Sequence, residues 1–508
     1  MKSQVKNIYF WLYLITVYLL ILAFRGFEFA SGDMVEIINY SKHMMNPKLL
    51  VNDFYINNIS AVIPNERYVF SGVLKLFLGD YKWMIFITHS ILTLFMLLGL
   101  FKIISLYIRQ ESFVWLTVLI LFGPLYKINL GGNELYYNML ISSFVAKVFG
   151  VWAIYFYLIK KRSTAIIFIL FSTLIHPTVG SQLFIIVIAS RFLSFLENRG
   201  CLVNKKELIS VMLYLLVAGG YIFVLLKAVQ DYGIDKNSYF EIFEFRVPHH
   251  FFPAYFPIKS YIIELMLYGM GIMFMLKYKM NDFTKFSIII FFGILVYLLG
   301  VYLLKIPFVL NTQWFKATIW LELIYLIAVM KYFDDKVKLN LWQEKAVFYA
   351  IITLCLVAWI MIIGGNNYFA QKPYQFSENI DLNEEELLGK EVKRLTKSGD
   401  QFIWPIEFSG FKYYAERGAF VDYKSVVHRG TVLDKWYSRI KKVYGIDIKT
   451  RRKFKDIKKS ARKIYKGMTI EKIKQFRELG IDYIVQYSDV NLDLPLITEN
   501  KKYKVYKL

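Results

Sequence analysis

Residues 286–304 read FSIIIFFGILVYLLGVYLL, a run without a charged side chain. A helix of about 17 to 25 mainly apolar residues is long enough to cross the hydrocarbon core of a bilayer. Similar runs recur along the chain, which is 56% hydrophobic and 18% aromatic and has a mean hydropathy of +0.41. The sequence therefore predicts a polytopic α-helical membrane protein.

Apolar runs with few charges give about eleven predicted spans, and loops containing Lys and Arg connect them on one side. Such loops usually stay in the cytoplasm, so they set the orientation of the chain. Lys2 and Lys6 precede the first run, which we interpret as a retained span with a cytoplasmic N-terminus. An odd number of spans then leaves the C-terminal tail outside. The predicted spans are 8–24, 83–107, 113–128, 140–159, 164–174, 181–195, 208–227, 261–276, 286–304, 314–330 and 347–363.

Two longer regions lie outside the predicted spans. In the outer loop 25–82, the stretches 34–45 and 67–78 have helical periodicity and could lie in the interface as amphipathic helices. The tail is long enough for a domain and mixes strand-like with helical patterns. The chain therefore divides into a transmembrane module, 1–364, and an extracytoplasmic α/β domain, 365–508. The predicted tail strands are 402–406, 419–421, 483–486 and 503–506, and the predicted helices lie near 384–397, 432–443 and 470–479.

Charge and cysteine content exclude several functions. The net charge of +23 can indicate nucleic-acid binding, but much of the excess lies in short loops between spans, so we expect no nucleic-acid partner. Cys201 and Cys355 are not spaced for a disulfide or a zinc site. The sequence has neither a Gly-rich phosphate loop nor a Gly-x-Ser-x-Gly elbow, so ATP-driven transport and serine-hydrolase chemistry lack support.

Unusual polar residues gather in or beside the loops that are predicted to be outside. Polar groups are costly at membrane depth, so their accumulation on one face suggests a site. That face has no ready supply of cytosolic nucleotides, and activated substrates would arrive there on lipid carriers. The residues are Asp33, Asn133, Glu134, His176, Arg246, His249, His250 and Gln313.

Asp33 follows the first span directly, at the start of the large outer loop. A carboxylate in this place can accept the proton of an incoming hydroxyl and strengthen its attack. The alternative is a helix N-cap, in which Glu36, three residues later, completes a capping box. The local sequence alone favours the cap.

Arg246-Val-Pro-His249-His250 lies in a long outer loop before an aromatic stretch. Arg holds phosphate through a planar fork, and His donates to a phosphate or shuttles a proton. The alternative is a surface loop with an aromatic belt. Adjacent His side chains seldom converge on one ion, so we expect no metal and no cofactor.

The remaining candidates have simple structural alternatives. His176 lies at the tip of a helical hairpin and could be a packing feature. Asn133 and Glu134 follow a Gly pair in a short outer loop and could bind a hydroxyl or be solvated. Gln313 and Lys316 flank Trp314, where they could reach a lipid phosphate or anchor the interface. The basic stretch 435–466 could rest on anionic lipid headgroups or be a solvated helical face.

The order of these motifs resembles the GT-C class of integral membrane glycosyltransferases, most closely a poorly characterised bacterial branch. The resemblance rests on the acid after the first span, the long first outer loop, about eleven spans and the extracytoplasmic tail. The matching motifs are Gly32-Asp33, His176-Pro177, Arg246 to His250, Phe420-Val-Asp-Tyr-Lys-Ser425 and Trp436-Tyr437. The resemblance covers nearly the whole chain, although the second acidic pair of many class members has only Glu36 and Asp53 as loose counterparts.

The resemblance implies a transferase in the bacterial inner membrane. It would move a sugar from a polyprenyl-phosphate-linked donor to a hydroxyl of a glycan, lipid or protein at the outer face, among membrane lipids. Asp33 would be the base. Arg246, His249 and His250 would neutralise the leaving phosphate. The expected substrate-binding residues are Glu36, Asn133, Glu134, His176, Arg246, His249, His250, Gln313 and Lys316.

Two alternatives remain open at this point. A transporter or flippase for lipid-linked glycans needs charges buried along a path through the bilayer, for which Glu264 and Glu322 are the main candidates. Transporters often consist of two related halves, and the chain shows no internal repeat. A polysaccharide polymerase would act on the same face but would use a pyrophosphate-linked donor.

Overall fold

The computed structural model describes residues 2–77, 81–123, 125, 129–198, 204–229, 233–340, 342–344, 346, 349–350, 353, 382–448 and 454–508. Helices dominate the part before residue 340. In chain order they are α1 (Lys2–Arg25), α2 (Gly32–Met45), α3 (Phe54–Ser60), α4 (Tyr68–Leu74), α5 (Tyr81–Ile104), α6 (Glu111–Phe122), α7 (Ser142–Leu158), α8 (Arg162–Ile175), α9 (Pro177–Asn198), α10 (Lys205–Tyr214), α11 (Gly220–Val229), α12 (Lys236–Arg246), α13 (Pro248–Phe251), α14 (Ile258–Lys277), α15 (Asn281–Leu298), α16 (Pro307–Asn311) and α17 (Thr318–Lys336).

Six helical segments among the described residues are long and apolar enough to cross a membrane. Four shorter apolar helices accompany them. Together they match ten of the predicted spans, and the protein is a membrane protein. The predicted span 347–363 lies outside the described residues apart from 349–350 and 353, so the count of eleven and the sidedness stay predictions. The six segments are Lys82–Ile104, Pro177–Glu197, Lys205–Ala228, Ile258–Lys277, Asn281–Leu303 and Pro307–Lys336.

The predicted hairpin around His176 is confirmed as two separate helices, α8 and α9. Pro177 is the first residue of α9, a position where its missing N–H costs nothing. Gly180 lies directly against the backbone of Thr173, so a Cβ at this position would collide with α8. The small residue therefore permits the close approach of the two helices.

The chain forms two compact units. The first, which we name the membrane unit, comprises Met1–Glu28, Lys82–Ile222 and Val247–Tyr374. The second, the loop–tail unit, comprises Phe29–Tyr81, Phe223–Arg246 and Gln375–Leu508. The large first loop therefore belongs to the same unit as the tail. The predicted boundary at residue 364 lies outside the described residues.

The tail is an α/β structure, as the sequence predicts. Its sheet has the strand order β2-β1-β3-β5-β4, in which β1 runs parallel to β2 and β3, while β5 is antiparallel to β3 and β4. Phe402, Phe411 and Val485 lie in its apolar core. The tail elements are α18 (Glu384–Leu395), β1 (Gln401–Ile403), α19 (Phe411–Ala415), β2 (Gly418–Ala419), α20 (Gly430–Tyr444), α21 (Phe454–Lys466), α22 (Ile470–Arg477), β3 (Tyr483–Tyr487), β4 (Leu496–Glu499) and β5 (Tyr503–Lys507).

Helix α2 differs from the interfacial helix that its periodicity predicts. Every residue from Met34 to Ser41 is buried, including the polar ones. The reason is that α4 and the tail helix α19 both pack against α2 within the loop–tail unit. The helix is therefore a core element, and its first turn is held in a fixed place.

Candidate functional site

Asp33 lies inside the first turn of α2, because the helix begins at Gly32 and Ser31 is the N-cap residue. The predicted alternative, in which Asp33 caps the helix and Glu36 completes a capping box, is wrong. The Asp33 side chain is 52% exposed, although the helix behind it is buried. Its carboxylate is therefore accessible from solvent on a firmly packed element.

The ammonium of Lys424 lies close to this carboxylate. Its Nζ is 3.4 Å from Oδ1 of Asp33, and the Lys424 side chain is 32% exposed. Ion pairs in such exposed positions contribute little to stability, because water screens them and ordering the side chains is unfavourable. The more important consequence of this pair is that it places the positive charge of Lys424 beside the Asp33 carboxylate.

Arg246 orders the backbone that carries Lys424. Its Nε donates to the carbonyl oxygen of Tyr423 at 2.7 Å, and its Nη2 donates to that of Lys424 at 2.6 Å. The guanidinium also lies 4.8 Å from the centre of the Tyr423 ring, a cation–π contact. Two motifs that are far apart in the sequence thus meet, and part of the Arg246 fork is engaged with backbone oxygens. Its predicted contact with a phosphate stays a prediction.

Asp422 fixes the same segment from the other side. Its Oδ1 accepts a hydrogen bond from the Lys424 backbone N–H at 2.8 Å, and its Oδ2 accepts one from Ser425 Oγ at 3.0 Å. Oδ2 also lies 3.2 Å from Nζ of Lys412, which is in turn 3.1 Å from Oδ2 of Asp53. Lys412 and Asp53 are almost completely buried. The buried ion triad anchors the tail segment to the loop.

The charges in this triad support one another. Burial lowers the pKa of Lys412, but the charges of Asp53 and Asp422 outweigh burial and raise that pKa above its ordinary value. Burial raises the pKa of Asp422, yet the charge of Lys412 and the local hydrogen bonds bring it below its ordinary value. Lys412 and Asp422 are therefore ionised at neutral pH, and full charges hold the segment before Lys424.

Glu36 lies one turn after Asp33 and pairs with Arg67. Its Oε2 is 3.3 Å from Nη2 of Arg67, and its side chain is only 7% exposed. Burial raises the pKa of Glu36 to about 7; the charge of Arg67 opposes this shift, and that of Asp33 adds to it. Glu36 can therefore change its protonation state near neutral pH beside the exposed carboxylate.

A second group of predicted residues lies in the membrane unit around a buried lysine. Lys147, in the apolar helix α7, is fully buried and donates to Asn133 Oδ1 at 2.6 Å and to the backbone oxygen of Glu134. The carboxylate of Glu134 pairs with Nη2 of Arg25 at 2.6 Å. Asn133 Nδ2 donates to the Lys316 carbonyl at 3.0 Å. Asn133 and Glu134 are thus tied into the protein rather than solvated.

The Gly pair before Asn133 brings His250 to this loop. Gly131 and Gly132 have φ angles of +85° and +60°, which favour glycine. A Cβ on Gly132 would lie 3.0 Å from His250 Nδ1, and the same nitrogen is 3.1 Å from the Gly131 carbonyl oxygen. The backbone oxygen of His249 would be 3.2 Å from that Cβ. The loop and the His pair therefore pack tightly.

The last two predicted residues have clear local roles. Gln313 has a left-handed φ of +48°, and its carbonyl oxygen accepts a hydrogen bond from Gln182 at 3.1 Å. His176 accepts the backbone N–H of Val179 at its Nδ1, at 3.4 Å, so it caps the start of α9. This contact gives His176 a local structural role, which was the alternative to substrate binding. The binding role of His176 stays a prediction.

The structure thus sorts the predicted residues into two sets. The loop–tail unit contains Asp33, Glu36 and Arg246. The membrane unit contains Asn133, Glu134, His176, His249, His250, Gln313 and Lys316. Sequence reasoning gave no role to Lys424, Arg67, Lys147 or Arg25. Lys147 could have been noticed as a lone charge in an apolar run. No local signal pairs Lys424 with Asp33.

Within the described ranges, no group of three or more His, Cys, Asp or Glu side chains is arranged so that it could hold a metal ion. This observation does not test whether the protein works without a metal, so that expectation stays a prediction.

Comparisons with known proteins add little about function. A family model described as "Domain of unknown function (DUF6798)" matches residues 384–443, which include Lys412, Asp422 and Lys424. No curated protein matches the chain. A solved structure that is similar to this chain is the archaeal oligosaccharyltransferase AglB from Archaeoglobus fulgidus, in complex with an inhibitory peptide and a dolichol-phosphate. The likeness covers 95% of this chain and 70% of that chain, with 10% identity and a TM-score of 0.45.

Proposed function

We propose that this protein is a membrane glycosyltransferase of the GT-C type. It takes a sugar from a polyprenyl-phosphate-linked donor and passes it to a hydroxyl of a glycan, lipid or protein at the outer face of a bacterial inner membrane. The observation that carries the proposal is the exposed Asp33 carboxylate at the start of a buried helix, with Lys424 3.4 Å away.

Asp33 is the base in this proposal. It accepts the proton of the acceptor hydroxyl while that oxygen attacks the anomeric carbon and the bond to the lipid phosphate breaks. A base must be ionised and must have a fixed direction. The positive charge of Lys424 favours the ionised form, and the packed α2 provides the direction.

The leaving lipid phosphate gains negative charge and needs cations near it. Arg246, His249 and His250 remain our proposed ligands for that phosphate, and Arg246 also orders the Lys424 backbone. The proposed substrate-binding residues of the membrane unit remain Asn133, Glu134, His176, Gln313 and Lys316. Glu36 remains a proposed substrate-binding residue of the loop–tail unit.

Mass spectrometry of lipid-linked intermediates and surface glycans in a deletion strain tests the proposal. The strain should lack one sugar on a surface glycan and should accumulate the matching polyprenyl-phosphate sugar. Wild-type protein should restore the glycan. Asp33→Asn should not restore it, although the protein still inserts at the wild-type level.

Asp489→Asn is the matched control, because it removes another exposed carboxylate that pairs with a lysine, Lys466, at 2.6 Å. This variant should restore the glycan fully. Full restoration by Asp33→Asn would remove Asp33 as the base and with it the main support for the proposal.

A transporter for lipid-linked glycans is the second candidate, and the observation that favours it is a pair of buried carboxyls. Glu264 and Glu322 lie on α14 and α17 of the membrane unit and are 1% and 3% exposed. Proteoliposomes separate the two functions. Lipid-linked sugar that is moved across the bilayer but not consumed would favour transport, whereas its consumption would favour transfer. A pyrophosphate-linked oligosaccharide as the consumed donor would indicate a polymerase.

A further inference from the structure

Helices α14 and α17 pack closely inside the membrane unit. Gly271 of α14 lies so near Tyr325 of α17 that a Cβ on the glycine would collide with the tyrosine side chain. This close packing brings a carboxyl from each helix into the interior, where neither reaches solvent. Ionisable groups buried among membrane helices are expensive, so their presence calls for a function.

The two carboxyls, from Glu264 and Glu322, are neighbours. The Glu264 carboxyl faces Glu322 and the hydroxyl of Tyr268, while Glu322 also faces the side chain of Asn129. Asn129 is 4% exposed and Tyr268 is 5% exposed. Four oxygen-bearing side chains thus meet in one buried place.

These oxygens have no suitable partners in the part of the chain that the structure describes. Both carboxylate oxygens of Glu264, Oε1 of Glu322, Oδ1 of Asn129 and the hydroxyl of Tyr268 are without a hydrogen-bond partner. The Asn129 amide nitrogen is used, because it donates to Thr318 Oγ1 at 2.9 Å, and this orders the side chain. Buried polar groups normally have partners, so this group of oxygens is prepared for a ligand.

The charge balance indicates a ligand with a single positive charge. Two carboxyls that lie side by side in a low-dielectric interior do not both ionise, so they share one proton and carry a single negative charge. Lys147, a buried amine of the same unit, is bound to Asn133 and Glu134 and cannot fill the site. One negative charge would remain uncompensated in a low-dielectric interior, which is strongly unfavourable.

We propose that Glu264, Glu322, Asn129 and Tyr268 form a binding site for one sodium ion that links α14 to α17. Hard cations prefer several oxygen ligands, and the site offers five partnerless oxygens. A proton in place of the sodium ion would link only two of these oxygens through a hydrogen bond and would leave the others without a partner. The inference does not depend on the glycosyltransferase proposal, since it concerns other residues and a ligand that stays bound.

Thermal unfolding and sodium binding of the purified full-length protein in detergent test this site at pH 8, where protons compete weakly. We expect the Tm to rise by about 2 to 5 °C when NaCl replaces choline chloride at constant ionic strength. Glu264→Gln and Glu322→Gln should each abolish the rise. Asp282→Asn should keep it, because this control removes a carboxylate of the same unit that pairs with Lys160 at 2.7 Å.

Direct binding of radioactive sodium to the wild-type protein keeps the test valid if a Gln variant fails to fold. Saturable binding of one ion per chain, displaced by excess unlabelled Na⁺ but not by choline, would support the site. Two results would overturn it: no saturable sodium binding by wild type, or a Tm that responds to pH but is the same in NaCl and choline chloride. The second result would leave a proton as the only occupant.

Discussion

Nζ of Lys424, in the tail, lies 3.4 Å from Oδ1 of Asp33, in the first turn of the helix that follows the first span. The tail thereby contributes a charge to the group that we propose as the base. Arg246, Asp422 and the buried Lys412 hold the Lys424 backbone in place. The tail is accordingly part of the candidate site rather than an appended domain.

Loss of the Lys424 charge should change how transfer depends on pH. In Lys424→Met, Asp33 loses a neighbour that favours its ionised form, so the acidic pH at half-maximal activity should move up by about 0.5 to 1 unit. Lys424→Arg should keep the wild-type profile. Glu36 also titrates near neutral pH, so the profiles are best measured in a Glu36→Gln background. Lower activity with an unchanged profile would mean that Lys424 has only a structural role, while an active Asp33→Asn would contradict the base itself.

The buried Glu36 should make stability depend on pH. Burial raises the pKa of Glu36 from an ordinary 4.5 to about 7, so the folded protein binds this proton more tightly than the unfolded chain does. The contribution of Glu36 to stability should therefore be fully present below about pH 4.5 and should fall by roughly 3 kcal/mol as the pH rises to about 7. Glu36→Gln should lack this component in thermal unfolding. Glu391→Gln removes an exposed carboxylate and serves as the control, which should retain this pH-dependent component. The prediction would be contradicted if the stability curves of the wild type and Glu36→Gln ran parallel from pH 5 to 8.

Replacing Arg246 should loosen the segment that carries Lys424. Lysine cannot donate to two carbonyl oxygens through a planar fork, so Arg246→Lys should lose about 1 to 3 kcal/mol of stability. Thermal unfolding and the KM for the donor should be measured together. A KM increase without any decrease in Tm would mean that Arg246 acts only on the phosphate, against the contacts with Tyr423 and Lys424.

Removal of Lys412 should be the most destabilising of these changes. Lys412→Met leaves the carboxylates of Asp53 and Asp422 without their buried cation, and breaking such a pair costs about 3 to 5 kcal/mol. Expression and thermal unfolding should reveal the loss. Lys441→Met removes a lysine from an exposed pair with Asp447 and should change stability by less than about 1 kcal/mol. Similar effects of the two variants would show that the triad does not anchor the loop to the tail.

The location of the tail can be tested with a phosphatase that is active only outside the cytoplasm. Fused after Leu508, it should be active, because an odd number of spans follows a cytoplasmic N-terminus. A stable but inactive fusion would place the tail, with Lys424, in the cytoplasm and would contradict transfer at the outer face.

Several helices and strands could be predicted from the local sequence, because interactions between residues close together in the chain determine them. In lipid, the backbone must satisfy its own hydrogen bonds, so each long apolar run becomes a helix. The strands Tyr483–Tyr487 and Tyr503–Lys507 follow β-branched and aromatic patterns. Leu496–Glu499 was missed because it is a short, largely exposed edge strand. The packing of α2 against α4 and α19 was not predicted, because periodicity does not show what packs against a helix.

The sequence by itself determined that the chain is a helical membrane protein with an α/β tail, and it singled out Asp33 and the Arg246 motif. Only the tertiary structure decided that Arg246 holds Tyr423 and Lys424, that Lys424 faces Asp33, and that Glu264 meets Glu322. Helix formation depends on neighbours a few residues away, which the sequence displays. Ion pairs between distant segments depend on the packing that brings those segments together, and no local pattern records it.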